Sequence, residues 1–245
     1  MPRSYTLDSG QARMTSLLYH CYMNTFQLKV IAIISMLIDH IGLFLFPKYL
    51  IFRIIGRLAF PLFCWLIANG AHHTHNIGRY LQRLYWFALI SQVPFFLANH
   101  LIDPHFSGLN VFCTLFLGLL AIYFIQKSNN WVHWFIVTVV FAAIAQFLQT
   151  DYGWLGVASI VLFYVFYSSF RKIVIAQVIL YFVPFIFLPD YLSGLIEPFG
   201  LFSLYFIRFY NDKPGIAAKY LFYIIYPVQY FVFYFLLLRL AALSI

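Results

Sequence analysis

Apolar residues fill most of this chain in long blocks, and the polar residues that interrupt them fall in short breaks. The blocks far exceed the 4–8 residues of a buried strand and approach the roughly 20 residues that carry a helix across a bilayer. They predict helices over about 28–46, 52–70, 80–97, 109–126, 131–148, 153–169, 172–188, 194–208 and 218–238. The eighth is interrupted by Glu197 and Pro198. The expected fold is therefore all-α: a polytopic membrane helix bundle of about nine transmembrane helices. The breaks are too short for a soluble domain, and no internal repeat or low-complexity tract is visible. Residues 1–27 read as an N-terminal cytoplasmic or interfacial segment, with a short helix lying along the interface over 11–27. Residues 28–245 read as one membrane domain.

The pattern is broken most sharply between Leu28 and Gly70, LKVIAIISMLIDHIGLFLFPKYLIFRIIGRLAFPLFCWLIANG. Its two apolar runs meet at Pro47–Lys48. The first holds Asp39 and His40, and the second holds Arg53 and Arg57. A charge near the middle of a membrane helix costs at least about 2.5–3.5 kcal/mol. Several such costs within one hairpin point to a reaction or transport site.

Composition supports the membrane reading. Of 245 residues, 64% are hydrophobic and only 9% charged, against about 25% charged in soluble domains. The 30 Phe and 19 Tyr suit lipid contact and interfacial belts. The net charge of +8 is not a nucleic-acid signal, because the basic residues stand at the ends of apolar runs. Cys21, Cys64 and Cys113 have neither metal nor disulfide spacing and read as packing residues. Residues 1–27 lack the charged start and short apolar core of a cleavable signal peptide, so the first span is expected to direct insertion.

Charge placement also sets an orientation. With the N-terminus in the cytoplasm, Arg3, Arg13, Lys29, Arg79, Arg83, Lys127, Arg171, Lys172, Arg208, Lys213 and Lys219 fall on that side. Lys48, Arg53 and Arg239 fall outside, together with Asp103, Asp151 and Asp190. The expected location is the bacterial inner (cytoplasmic) membrane. Asp39 then lies about 16 Å from the cytoplasmic end of its helix at 1.5 Å per residue. The Lys48 hairpin brings Asp39, His40 and Arg57 together in the outer half of the membrane, with Arg53 one turn from Arg57 on the same face.

Ser91, Gln92 and Pro94 in the third span, and Asn110 and Thr114 at the start of the fourth, are further candidates for this site. Tyr152 and the Tyr226–Pro227 pair join them. Pro61 and Pro94 each free a backbone carbonyl, which is tolerated where a helix lines a cavity. Each feature also has a packing reading. Asp39 with Arg57 also fits a buried ion pair that only fixes helix packing, the less favoured reading for charges inside a membrane, and an isolated histidine such as His40 is often hydrogen-bonded core. Beside a carboxylate and facing two arginines, His40 reads as a proton-transfer group. Arg79 and Arg83, spaced i, i+4 at a cytoplasmic helix start, serve either topology or phosphate binding. The loop holding His72, His73 and His75 has no supporting carboxylate or Cys and reads as solvated; no metal site is expected. Asp103 and Asp151 read as solvated loop charges.

Six pieces carry a family resemblance: LKVIAIISMLIDHIG, RIIGRLAFPLFCWLIANG, RYLQRLYWFALISQVPFFLA, LNVFCTLFLGLLAIY, DYGWLGVASIVLFYVFY and YNDKPGIAAKYLFYIIYPVQ. In this order, over about residues 28–230, they resemble the TraX family. The combination of I-D-H-I-G with R-x-x-G-R-x-x-F-P-x-F is the specific part. That family is named for a conjugal-transfer protein that N-acetylates pilin, and it falls in a wider group of membrane acyltransferases. The resemblance implies His40 as catalytic histidine, acetyl-coenzyme A as acyl donor and a pilin N-terminus as acceptor. Its pattern often places a histidine after Tyr-Pro in the last span; this chain has Gln229 there.

Together these features predict a membrane N- or O-acetyltransferase. His40 would take the acceptor's proton, and Arg53 or Arg57 would stabilise charge on the carbonyl oxygen. Arg79 and Arg83 would hold the donor's phosphates, while Arg53, Ser91, Gln92 and Asn110 would meet the acceptor, which enters from the outer side. Asp39 would orient His40 or hold Arg57. Neighbouring helical residues diverge by about 100°, so one role excludes the other. Membrane lipids are the surrounding partner. The rival classes are a small proton- or anion-coupled transporter, disfavoured by the lack of repeats, and a passive assembly factor.

Overall fold

The computed structural model describes residues 22–187, 192–217 and 219–243. Every regular element there is helical: α1 (Thr25–Phe44), α2 (Leu50–Gly56), α3 (Ala59–His73), α4 (Ile77–His100), α5 (Val111–Ile125), α6 (Trp131–Phe147), α7 (Gly153–Val165), α8 (Phe170–Phe187), a 3-10 stretch (Leu192–Phe202), α9 (Ser203–Arg208) and α10 (Lys219–Leu243). The predicted runs and these helices coincide closely. Arg3, Arg13, Cys21, Asp190 and most of the predicted 11–27 helix lie outside the described residues. Within that segment, α1 already begins at Thr25, behind a capping box in which Asn24 and Gln27 bond each other's backbone N–H at 2.9 Å.

Thr25–Phe44, the α2–α3 pair Leu50–His73 and Tyr220–Leu243 are long and apolar enough to cross a membrane; α5, α6 and α7 are apolar but shorter. The exterior shows what surrounds them. Trp86, Ile90 and Val93 on α4, Phe135, Ile136 and Val139 on α6, and Val228, Val232 and Phe235 on α10 are all exposed. Faces this apolar and this numerous are solvated by lipid. This is a membrane protein.

Two departures from regular helix shape the interior. The second predicted span breaks at Arg57–Leu58, between α2 and α3. Pro61 has no N–H to offer the carbonyl of Arg57, four residues back, and its ring would crowd that carbonyl. The eighth predicted span is not an α-helix. It is the 3-10 stretch followed by the six-residue α9, consistent with Pro198 removing a donor inside it. Gly200 packs onto the break itself: a β-carbon there would stand 3.0 Å from the Arg57 carbonyl oxygen and 3.0 Å from the Pro61 ring.

The connections collect at two ends. At one, Met23 donates to the Phe209 carbonyl at 2.7 Å and Thr25 to that of Lys213 at 2.9 Å. At the other, Leu109 donates to Gln149 at 3.0 Å and Asp151 to Leu109 at 2.8 Å. The main core lies between α1, α3, α4, α5, α7 and α10; a smaller one joins α5, α6 and α7.

Candidate active site

The α1–α2 hairpin assembles the ionic part of the site. Arg57 Nη2 donates to both oxygens of Asp39, at 2.7 and 2.9 Å, and Arg53 Nη1 donates to Asp39 Oδ2 at 2.6 Å. Arg57 Nη1 donates to Glu197 Oε1 at 2.7 Å, and its Nε to the Arg53 carbonyl at 3.3 Å. Every nitrogen of Arg57 therefore has a protein partner, and its side chain is 6% exposed. Arg53 keeps a looser position, its side chain 25% exposed. Glu197 comes from the 3-10 stretch; the sequence treated it only as an interruption.

His40 turns away from this cluster, as the angular separation of adjacent helical residues requires. Its Nε2 meets the Tyr230 hydroxyl at 3.0 Å, and its ring packs against Tyr226, Tyr230 and Phe44. Asp39 thus holds the arginines and does not orient His40. The His40 Nδ1 and both polar atoms of the Gln229 amide have no hydrogen-bond partner among the described residues. Gln229 is buried next to His40. The residue at which this chain departs from the family pattern is thus a neighbour of the candidate catalytic histidine, where an amide can hydrogen-bond but cannot exchange protons.

The turn between α6 and α7 closes the site. Gln149, Tyr152 and Gly153 all have positive φ, at 50°, 63° and 43°. Left-handed conformation at two residues other than glycine is uncommon and persists where the surroundings impose it. Here Leu109 pairs with the turn, and Thr114 Oγ1 donates to the carbonyl of Asp151. The result corrects the expectation of a solvated loop carboxylate: Asp151 faces the interior, beside Arg57, Arg53 and His40. Burial pushes its carboxyl up to about 6. Asp103, by contrast, stays exposed and caps the backbone of His105. Tyr152 stacks on Phe60 and lies under the Arg57 guanidinium, 5.7 Å from it.

Asp39, His40, Arg53, Arg57, Asp151, Tyr152, Tyr226 and Tyr230 line one cavity of about 170 Å³. A second cavity, of about 350 Å³, opens toward the other end of the bundle and is lined by Lys29, Asn69, His73, Tyr80, Arg83 and Tyr223 among others. Met36, Phe63, Val111 and Tyr226 line both. These four residues form the wall, or waist, that stands between the two chambers. The second chamber has cationic side chains in its wall and no carboxylate among the described residues. Arg83 lies over the Tyr80 ring, and its buried Nε has no partner among the described residues.

The remaining candidates stand apart. Arg79 is exposed at the start of α4 and lines neither chamber, whereas Arg83 lines the second. Gln92 and Asn110 bind each other and the backbone. Asn110 Nδ2 donates to Gln92 Oε1 at 2.8 Å and to the Ala88 carbonyl at 2.7 Å, and Gln92 Nε2 donates to Gly108 at 3.0 Å. These contacts fix the 101–110 loop to α4, and they consume the groups expected to meet an acceptor. Ser91 is fully buried and lines neither chamber. His72 stacks on Tyr164, while His73 bonds Asn69 and Asp212.

Comparison with known proteins places this architecture. The TraX protein family model matches residues 25–237. The chain belongs to the TraX family. It is 32% identical over 232 residues to a Dichelobacter nodosus protein named as a probable fimbrial assembly protein, FimC of serogroup H1, covering 84% of this chain and 92% of that one. It is 29% identical over 141 residues to an uncharacterized protein of Rickettsia prowazekii (strain Madrid E), covering 55% of this chain and 52% of that one. No solved structure matches. Both chambers of this TraX-family protein lie within the matched residues.

Proposed function

We propose that this TraX-family protein is an inner-membrane acetyltransferase that moves an acetyl group from acetyl-coenzyme A to an amine or hydroxyl acceptor. A pilin N-terminus is the acceptor to test first, in keeping with the fimbrial assembly name of the Dichelobacter relative. The observation that carries the reading is the pair of adjacent chambers that share Met36, Phe63, Val111 and Tyr226 in their walls. One is cationic and faces the bundle end rich in Lys and Arg, which the charge bias assigns to the cytoplasm. The other holds a histidine, two arginines and two carboxylates, and faces the opposite end.

The cationic chamber fits a polyanionic donor. Lys29 and Arg83 both line it, and among the described residues the buried Arg83 Nε has no hydrogen-bond partner. When bound, the donor supplies a thioester carbonyl at the waist. In the other chamber, His40 Nδ1, the ring nitrogen without a partner among the described residues, takes the proton of the attacking amine or hydroxyl. Arg53 is the better candidate to stabilise charge on the carbonyl oxygen, because Arg57 is saturated by Asp39, Glu197 and backbone. Asp39 and Arg57 position Arg53.

Membranes containing the wild-type protein or His40→Ala, supplied with isotope-labelled acetyl-coenzyme A, test this by mass spectrometry of the membrane fraction. Labelled acetyl groups should appear with the wild type and vanish with His40→Ala at equal abundance. Absence of label with the wild type overturns the reading.

A further inference from the structure

Resting on that acetyl-transfer reading, we propose that Tyr226 and Tyr230 form with His40 a proton relay across the waist, with Tyr226 as the group that protonates the departing thiolate. Acetyl transfer moves one proton from the acceptor to sulfur. The acceptor's N–H or O–H bond breaks, its N or O bonds the carbonyl carbon, the C–S bond breaks and an S–H bond forms. The two chambers put these events on opposite sides of the waist. His40 belongs to the acceptor chamber alone, whereas Tyr226 lines both.

The connection between them is built. His40 Nε2 meets the Tyr230 hydroxyl at 3.0 Å. Tyr230 and Tyr226 are one helical turn apart on α10, with their ring centroids 5.1 Å apart. Both are at most 3% exposed, so bulk water does not replace the path. The Tyr226 oxygen accepts the Val111 backbone N–H at 3.4 Å, at the first turn of α5. That bond leaves the hydroxyl proton free to be donated. In the cycle, Tyr226 gives its proton to sulfur, Tyr230 reprotonates Tyr226, and His40, protonated at Nδ1 by the acceptor, gives its Nε2 proton to Tyr230.

The test uses the full-length protein in lipid nanodiscs, with Tyr226→Phe, Tyr230→Phe and an isosteric 3,5-difluorotyrosine at position 226. Tyr226→Phe should lower kcat about a hundredfold, the scale of lost general acid catalysis, with the acetyl-coenzyme A KM within a factor of two. Difluorotyrosine, with its lower pKa, should move the alkaline fall in kcat to lower pH. Without any donor, Tyr230→Phe should shift the His40 Nε2 resonance in ¹⁵N NMR. An active wild type with a fully active Tyr226→Phe removes the relay and leaves the acetyltransferase standing. An unchanged alkaline limb in the fluorinated protein makes Tyr226 structural and also removes the relay. A wild type without acetyl transfer removes the reading, and the relay with it.

Discussion

Gly56 lies so close to Asp39 that a β-carbon on it would overlap the carboxylate. The ionic cluster therefore depends on a residue with no side chain, because α1 and α2 must approach within hydrogen-bonding reach of each other.

Gly56→Ala should push Asp39 off both arginines. Acetyl transfer should fall at least tenfold, and abundance should drop as well. Gly78→Ala is the control, since a β-carbon there meets only Asn76 Oδ1, at an ordinary 3.4 Å. Quantitative immunoblotting and product formation check both variants. Full activity in Gly56→Ala would show that the hairpin opens freely.

Arg57 balances two acids, so its loss alone should be poorly tolerated. Removing one partner of a buried pair costs about 3–5 kcal/mol. Arg57→Gln should lose most of its membrane abundance, and Arg57→Gln with Glu197→Gln should recover much of it, because the Asp39–Arg53 pair survives. The double variant should stay below wild-type activity, since Arg53 loses its positioning. Recovery of full activity would reduce the Arg57–Glu197 pair to a packing element.

Arg83 and Arg79 should separate kinetically. Arg83→Ala should raise the acetyl-coenzyme A KM about tenfold, in line with one lost charged hydrogen bond. Arg79→Ala should leave it within a factor of two. Equal effects would mean that the donor lies along the α4 start and not in the chamber.

Asp151 gives a pH prediction. Its carboxyl stands at about 6 in the folded protein, against about 3.9 in an unfolded chain. A folded state that holds this proton more tightly loses stability as pH rises between those values and does not regain it above. Asp151→Asn should therefore raise the thermal midpoint in detergent at pH 7.5 and change it little at pH 4. Its acetyl transfer should fall at the same time. An unchanged midpoint at pH 7.5 would show the carboxylate to be solvated.

The run of apolar residues was enough to locate nearly every helix, because each crossing is selected by the local transfer of its own side chains into lipid. The kink at Pro61 was legible for the same local reason, as was the meeting of Asp39, Arg53 and Arg57, which one tight hairpin brings together. Packing across the whole chain decided the rest. Glu197 reaches Arg57 from 140 residues away through a 3-10 stretch that no periodicity announced. Asp151 turns inward because Leu109 and Thr114 hold its turn, and the sequence shows only an acid between two spans. Gln92 and Asn110 look like site residues by polarity alone, yet they satisfy each other and the backbone. Polar groups inside a membrane must find partners somewhere. The sequence states that requirement, and only the assembled helices determine which partner each group meets.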